Sequence, residues 1–129
     1  MTTLNGAGVC QIANSAPAQA GAIARVAAAA STNATSVKAS PGVLSGGILC
    51  NNTAAAKFFK FYDKASAPTV GTDTPKFTLI IPANNNIVLD HAVGAGFTVG
   101  IAYAITGAIG DADTTVLAAN DVHGYLSYA

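Results

Sequence analysis

Phe97-Thr98-Val99-Gly100-Ile101-Ala102-Tyr103-Ala104-Ile105-Thr106 is the stretch that decides the fold. Phe97, Val99, Ile101, Tyr103 and Ile105 take every second position, and Thr98, Gly100, Ala102, Ala104 and Thr106 fill the places between. Successive side chains of a strand point to opposite faces, so this period of two predicts a strand. Its large apolar set is expected on a core and its small set on the outside.

The same period recurs in both directions along the chain. Phe77, Leu79 and Ile81 alternate with Lys76, Thr78 and Ile80, and Val122, Gly124, Leu126 and Tyr128 alternate with Asp121, His123, Tyr125 and Ser127. Phe59 and Phe61 lie between Lys57, Lys60 and Asp63, which leaves Phe58 and Tyr62 for a second face. Val43–Cys50 and Ile87–Leu89 add apolar runs, and Ser36–Ala39 is a shorter candidate strand. Turn-forming residues separate them: Pro41-Gly42, Asn51-Asn52, Ala67-Pro68, and the stretches 71–75, 82–86, 94–96 and 107–113. The chain contains no Glu and little Gln or Arg, which removes several ordinary helix formers. Together these features predict an all-β fold, an antiparallel β-sandwich or jelly roll of about seven to eight strands.

The pattern weakens toward the N-terminus. Residues 1–32 hold mostly Ala, Gly, Asn and Thr, with Leu4, Val9, Ile12, Ile23 and Val26 scattered among them. Ala22, Ala24 and Ala27 to Ala30 favour helix, but they do not surround an apolar stripe. The expected organisation is an extended arm over residues 1–32, with at most one short helix, followed by a sandwich domain over residues 33–129. Such an arm buries little surface by itself and needs a body or a neighbour to lie on.

Composition narrows the function. Charged residues make up 9% of 129, against about 25% in an average soluble domain. Six Asp balance five Lys and Arg25, so the net charge is zero and nothing marks an electrostatic site for nucleic acid or an anionic membrane. An apolar content of 51% excludes a disordered chain. Small uncharged residues shed little side-chain entropy on packing, and zero net charge promotes association. The expectation is a protein that works inside an assembly, the alternative being a soluble monomer with an uncharged surface.

No apolar stretch reaches the roughly 18 residues of a membrane helix. No Lys or Arg precedes Arg25 to form a secretory n-region, so a cytoplasmic product is expected. Cys10 and Cys50 lack metal-ligand spacing and read as free thiols, with Cys50 a buried small hydrophobe inside an apolar run.

Candidate chemistry is sparse. Gly42-Val43-Leu44-Ser45-Gly46 places its Ser one position too late for a nucleophile elbow. Asp90 and His91, as strand neighbours, point apart, whereas Asp121 and His123 share a face without a nucleophile nearby. Asp111 and Asp113, with Asp73 and Asp121 as distant partners, read as turn caps and not a calcium loop, which needs a closing Glu. Lys57, Lys60 and Lys64 beside Phe58, Phe59, Phe61 and Tyr62 suggest a strand with one partly solvated face more than a single-strand nucleic-acid groove. Asn33-Ala34-Thr35 and Asn51-Asn52-Thr53 match glycosylation sequons that lack a secretory context. No catalytic, cofactor-binding or metal-binding residue is assigned, no cofactor is expected, and the chain is not read as an enzyme.

Some strings carry a resemblance. Ala34-Thr-Ser-Val-Lys-Ala-Ser-Pro-Gly42 and Lys60-Phe-Tyr-Asp-Lys-Ala-Ser-Ala-Pro-Thr-Val-Gly-Thr-Asp-Thr-Pro75 resemble small structural proteins of tailed bacteriophages. Gly100-Ile-Ala-Tyr-Ala-Ile-Thr-Gly107, Asp111-Ala-Asp-Thr-Thr115 and Ala119-Asn-Asp-Val122 are similar to the same group. The similarity runs over roughly residues 33–128 and leaves out the arm. It implies a capsid decoration (cement) protein on the virion exterior, often a homotrimer, that staples junctions of the major capsid protein. Tail, connector and fibre components reuse such sandwiches, and they form the alternative. The charge deficit adds a further expectation: other subunits cover the arm and the second face of at least one sheet.

Overall fold

Alternation becomes eight strands in the computed structural model, which describes residues 21–129 apart from the side chains of residues 91–93. In chain order these are β1 (Ala22–Ala27), β2 (Thr35–Lys38), β3 (Gly42–Asn51), β4 (Lys57–Asp63), β5 (Phe77–Ile81), β6 (Asn85–Phe97), β7 (Ile101–Thr106) and β8 (Val122–Tyr128). They form two four-stranded sheets, ordered β1-β8-β3-β6 and β2-β7-β4-β5. Every pairing is antiparallel. The fold is a β-sandwich.

The first sheet sends Val26, Leu44, Leu49, Val122 and Leu126 inward, and the second sends Phe59, Phe61, Ile81, Ile101 and Ile105. All ten are buried to 1% exposure or less. Phe59 stacks on Tyr103 with centroids 4.7 Å apart, and Phe61 stacks on Phe77 at 4.9 Å. Each such large side chain contributes about 1.5–3 kcal/mol by leaving water.

The deciding stretch is not one strand. β6 ends at Phe97, a turn covers Thr98–Gly100, and β7 begins at Ile101. The Asp63 carboxylate causes the break, because it accepts the amides of Thr98, Val99 and Gly100 and the Thr98 hydroxyl. Phe97, Ile101, Tyr103 and Ile105 keep their core positions, while Val99 is turned out to solvent.

The expected arm boundary is also corrected. Residues 22–27 form no helix; they are an edge strand paired with β8 from Ala22↔Tyr128 to Ala27↔His123. Val26 and Ala28 enter the core. Tertiary pairing overrides the helix preference of alanine: β1 pairs edge to edge with β8, and Ala24, Val26 and Ala28 face the core. The sandwich therefore starts near residue 22 and not at 33. The rest of the expected arm, residues 1–20, lies outside the described residues.

Two glycines set the spacing of β3 and β8. Gly47 has φ 148° and Gly124 has φ 153°. A Cβ on Gly47 would run into the Tyr125 carbonyl, and one on Gly124 into the Ile48 carbonyl. These two positions require glycine for close approach of the strands.

Candidate interaction surface

The two sheets are finished differently on their outer faces. On the second sheet the outward residues Lys60, Tyr62, Ala102, Ala104 and Thr106 are buried. The chain's own loops roof them: Val70 packs on Tyr62, Ala102 and Ala104, and the Gly110 carbonyl accepts a 2.6 Å hydrogen bond from Lys60 Nζ. The small set of β7 does face away from the core, but under the chain's own loops and not under another subunit, and the expected solvated basic face of β4 is corrected in the same way at Lys60. Ala102 and Ala104 are small because a loop lies directly on them.

Four perturbed ionisable groups, Lys60, Tyr62, Asp73 and Asp113, lie at or beside the roof. Burial lowers the Lys60 pKa, and nearby Asp113 and Asp111 oppose that effect. Burial raises the Tyr62 pKa, reinforced by Asp73 and Asp111. The Tyr62 hydroxyl has no hydrogen-bond partner among the described residues. Asp73 is held below the usual carboxylate range by the Lys64 ammonium and the Thr69 amide. Burial opposes ionisation of Asp113, but hydrogen bonds from Thr115 and the Ala108 amide lower its pKa. Asp113 caps its turn, as the sequence around it suggests, and Asp73 caps the turn that begins at Thr69.

The first sheet has no such roof among the described residues. Its outer face is ordered in cross-strand rows. One row runs Arg25–Tyr125–Ile48–Val88, and the next runs Ala27–His123–Cys50–Asn86. Val88 is 66% exposed, Ile23 62%, Tyr125 38% and Val43 37%. Among the described strand residues pointing outward here, only Arg25 and Asp90 carry a formal charge. Around the β6 edge, Leu79, Ile80, Ile87, Val88 and Leu89, with Asp90 at their end, line a shallow cleft between the free edges of β5 and β6. The exposed apolar side chains of this face are interleaved with Ser45, Ser127, His123, Asn86 and Asp90, and large exposed apolar side chains are also candidates for contact with another surface.

A second cleft lies at one end of the sandwich, lined by Cys50, Asn51, Asn52, Asn84, Asn85 and Asn86. The Asn51 side chain is committed to the fold: its amide donates to the carbonyls of Ala55 and Ile81, and its oxygen accepts from Thr53. It is 3% exposed, so this sequon is closed to modification. Asn33 adopts φ 57° and bonds its own turn through Ala29 and Ser31.

The remaining candidates do not converge. His123 shares a 3.1 Å hydrogen bond with Asn120, while Asp121 instead accepts the Ala118 amide and faces Lys57 at 3.8 Å. The His91 side chain lies outside the described residues. Ser45 sits within β3, not on a strand-to-helix turn, and its hydroxyl donates to Ser127. Cys50 is not buried: it is an exposed free thiol on the outer face of the first sheet. It alternates with Leu49, which enters the core, so the continuous apolar run Ile48–Cys50 is divided between the two faces of β3. Among the described residues no three His, Cys, Asp or Glu side chains are grouped to hold a metal ion.

Comparison with known protein families, curated proteins and solved structures finds no significant match.

Proposed function

We propose that the protein is a virion structural protein of a tailed bacteriophage, a capsid decoration protein that binds the outer lattice of the major capsid protein and stabilises capsomer junctions. One observation carries the reading: the second sheet is roofed by its own loops, whereas Ile23, Val43, Val88 and Tyr125 leave an apolar, nearly uncharged face on the first. Such a surface suits a protein partner and not nucleic acid, which requires a basic face. The strings quoted above supply the phage context. Self-association as a homotrimer belongs to the same proposal.

The test begins with the mass of the purified protein in solution. It continues with cryo-electron microscopy of particles assembled with and without it. Added density on the capsid exterior and a higher temperature of capsid disruption are expected. A monomer that binds no particle overturns the proposal.

The amide-lined cleft formed by Asn52, Asn84, Asn85 and Asn86 favours a second reading, a tail or fibre domain that binds a glycan. Side-chain amides both donate to and accept from sugar hydroxyls. Specific binding on a glycan array, lost in Asn85→Ala, would reverse the order of the two.

A further inference from the structure

We propose that Cys50 and His123 form a two-ligand site for a thiophilic divalent cation of the zinc type on the outer face of the first sheet. The two residues lie on neighbouring strands, β3 and β8, and pair directly in register. Leu49 and Val122, beside them in the chain, are fully buried, so alternation turns Cys50 and His123 outward together. Directly opposite residues of an antiparallel pair hold their Cβ atoms about 4.5–5.5 Å apart on one face. Tetrahedral zinc takes thiolate sulfur at about 2.3 Å and imidazole nitrogen at about 2.0–2.1 Å, which sets the two donors about 3.5 Å from each other. Staggered rotamers of the two side chains reach that separation across such a pair.

The imidazole already has the partner that a metal ligand uses. His123 Nε2 lies 3.1 Å from Asn120 Oδ1. An amide oxygen only accepts, so Nε2 carries the hydrogen and Nδ1 keeps the lone pair that a cation needs. Ligating histidines donate their second nitrogen to such an oxygen, which fixes the ring and raises its basicity. Asn120 is itself anchored, with φ 68° and its backbone amide donated to the Ala28 carbonyl. The rest of the row is uncharged, with Ala27 beside His123 and Asn86 beside Cys50, so no cationic side chain stands in it to repel an ion. Cys50 is exposed and also lines the asparagine cleft, which opens it to ions from solvent. No third His, Cys, Asp or Glu joins the pair among the described residues, so the remaining positions go to water. The two ligands come from strands distant in sequence and meet only in the folded chain, so the bound cation stabilises the fold.

The inference goes beyond the capsid proposal, and its test uses no particle, so the two fail separately. Full-length protein carrying Cys10→Ser, which leaves Cys50 as the single thiol, is titrated with Cd2+ and followed by thiolate-to-metal charge-transfer absorption. Saturation at one ion per chain is expected, with displacement by Zn2+ and a Tm raised by either ion. Adding Cys50→Ser should abolish the absorption, and adding His123→Ala should weaken binding about tenfold or more. Asn120→Gly keeps the positive φ but frees the ring, and it should weaken binding about tenfold. A second measurement needs no change at His123: Zn2+ should shift the His123 ring resonances in the Cys10→Ser protein and leave them in place when Cys50→Ser is added. No charge-transfer band, or equal affinity with and without the imidazole, overturns the proposal. Ring resonances that ignore Zn2+ also overturn it.

Discussion

Lys60 donates from its ammonium to the carbonyl of Gly110 at 2.6 Å, joining β4 to a loop fifty residues further along the chain. The side chain is fully buried, and its carbon stem packs beneath the roof that this bond fastens. Lys60→Ala removes both the stem and the fastening and should cost about 2–4 kcal/mol. Lys60→Met keeps the stem and removes a buried charge, so its cost should stay within about 1.5 kcal/mol. Denaturant unfolding of the two variants checks this. Equal losses would show that the hydrogen bond, and not the packing, holds the roof.

Acid should unfold the protein through its turn caps. Burial works against ionisation of Asp63, but the Thr98, Val99 and Gly100 amides and the Thr98 hydroxyl bring its pKa down to about 2. A carboxylate with a depressed folded-state pKa stabilises the fold above its unfolded value. That stability is lost as pH falls from about 4 toward 2. Asp73 and Asp113 are shifted in the same direction and add to the slope. Asp63→Ala should cost about 1.5–3 kcal/mol at neutral pH and flatten the acid limb of a plot of Tm against pH. An acid limb unchanged in the variant would refute this role for Asp63.

Glycines of this fold should differ sharply in tolerance. A Cβ on Gly124 meets the backbone of Ile48 and Leu49, which cannot swing aside, and φ is positive. Gly124→Ala should therefore lose about 3 kcal/mol from overlap and backbone strain. A Cβ on Gly96 meets nothing within 4 Å. Gly96→Ala should remain within about 1 kcal/mol of the parent protein. Thermal unfolding of the pair tests both values together.

Tyr62→Phe gives an independent check of the roof. The hydroxyl is buried without a partner, so deleting it relieves a desolvation cost and breaks no hydrogen bond among the described residues. Tm should rise, by up to about 1 kcal/mol in stability. A loss of that size would indicate a partner for the hydroxyl.

Legibility in the sequence followed side-chain size. Where large and small residues alternate, as in Phe77–Ile81 and Val122–Tyr128, the period of two located the strands. Where the inward residues are themselves small, as with Ala24 and Ala28, the signal vanished and β1 was taken for part of an arm. In β3 the consecutive apolar residues Ile48-Leu49-Cys50 show no alternation, which is why Cys50 was read as buried. The roof over Lys60 and Tyr62 was harder still, because it depends on loops whose path carries no periodicity. The shortage of charge was plainest between Thr98 and Thr106, but those positions of β7 belong to the roofed sheet, and the open face of the first sheet had no signal of its own. Which side chains remain exposed depends on which sheet received the roof.

The apolar face provides the last prediction. Val88 and Tyr125 lie on either side of Ile48 in one cross-strand row and point away from the core. Because they point outward, Val88→Lys and Tyr125→Lys should change folding stability by no more than about 0.5 kcal/mol each. On the proposed docking face, each change buries an unpaired charge and removes apolar contact. Affinity for particles should fall at least tenfold, since about 1.4 kcal/mol suffices for that factor. Ile109→Lys is the matched control, because Ile109 is exposed on the roof loop of the other sheet. Co-sedimentation with particles separates the outcomes: loss with Val88→Lys and Tyr125→Lys but not with Ile109→Lys assigns the contact to the first sheet. Equal binding by all three variants would mean that the uncovered face is not where the lattice is held.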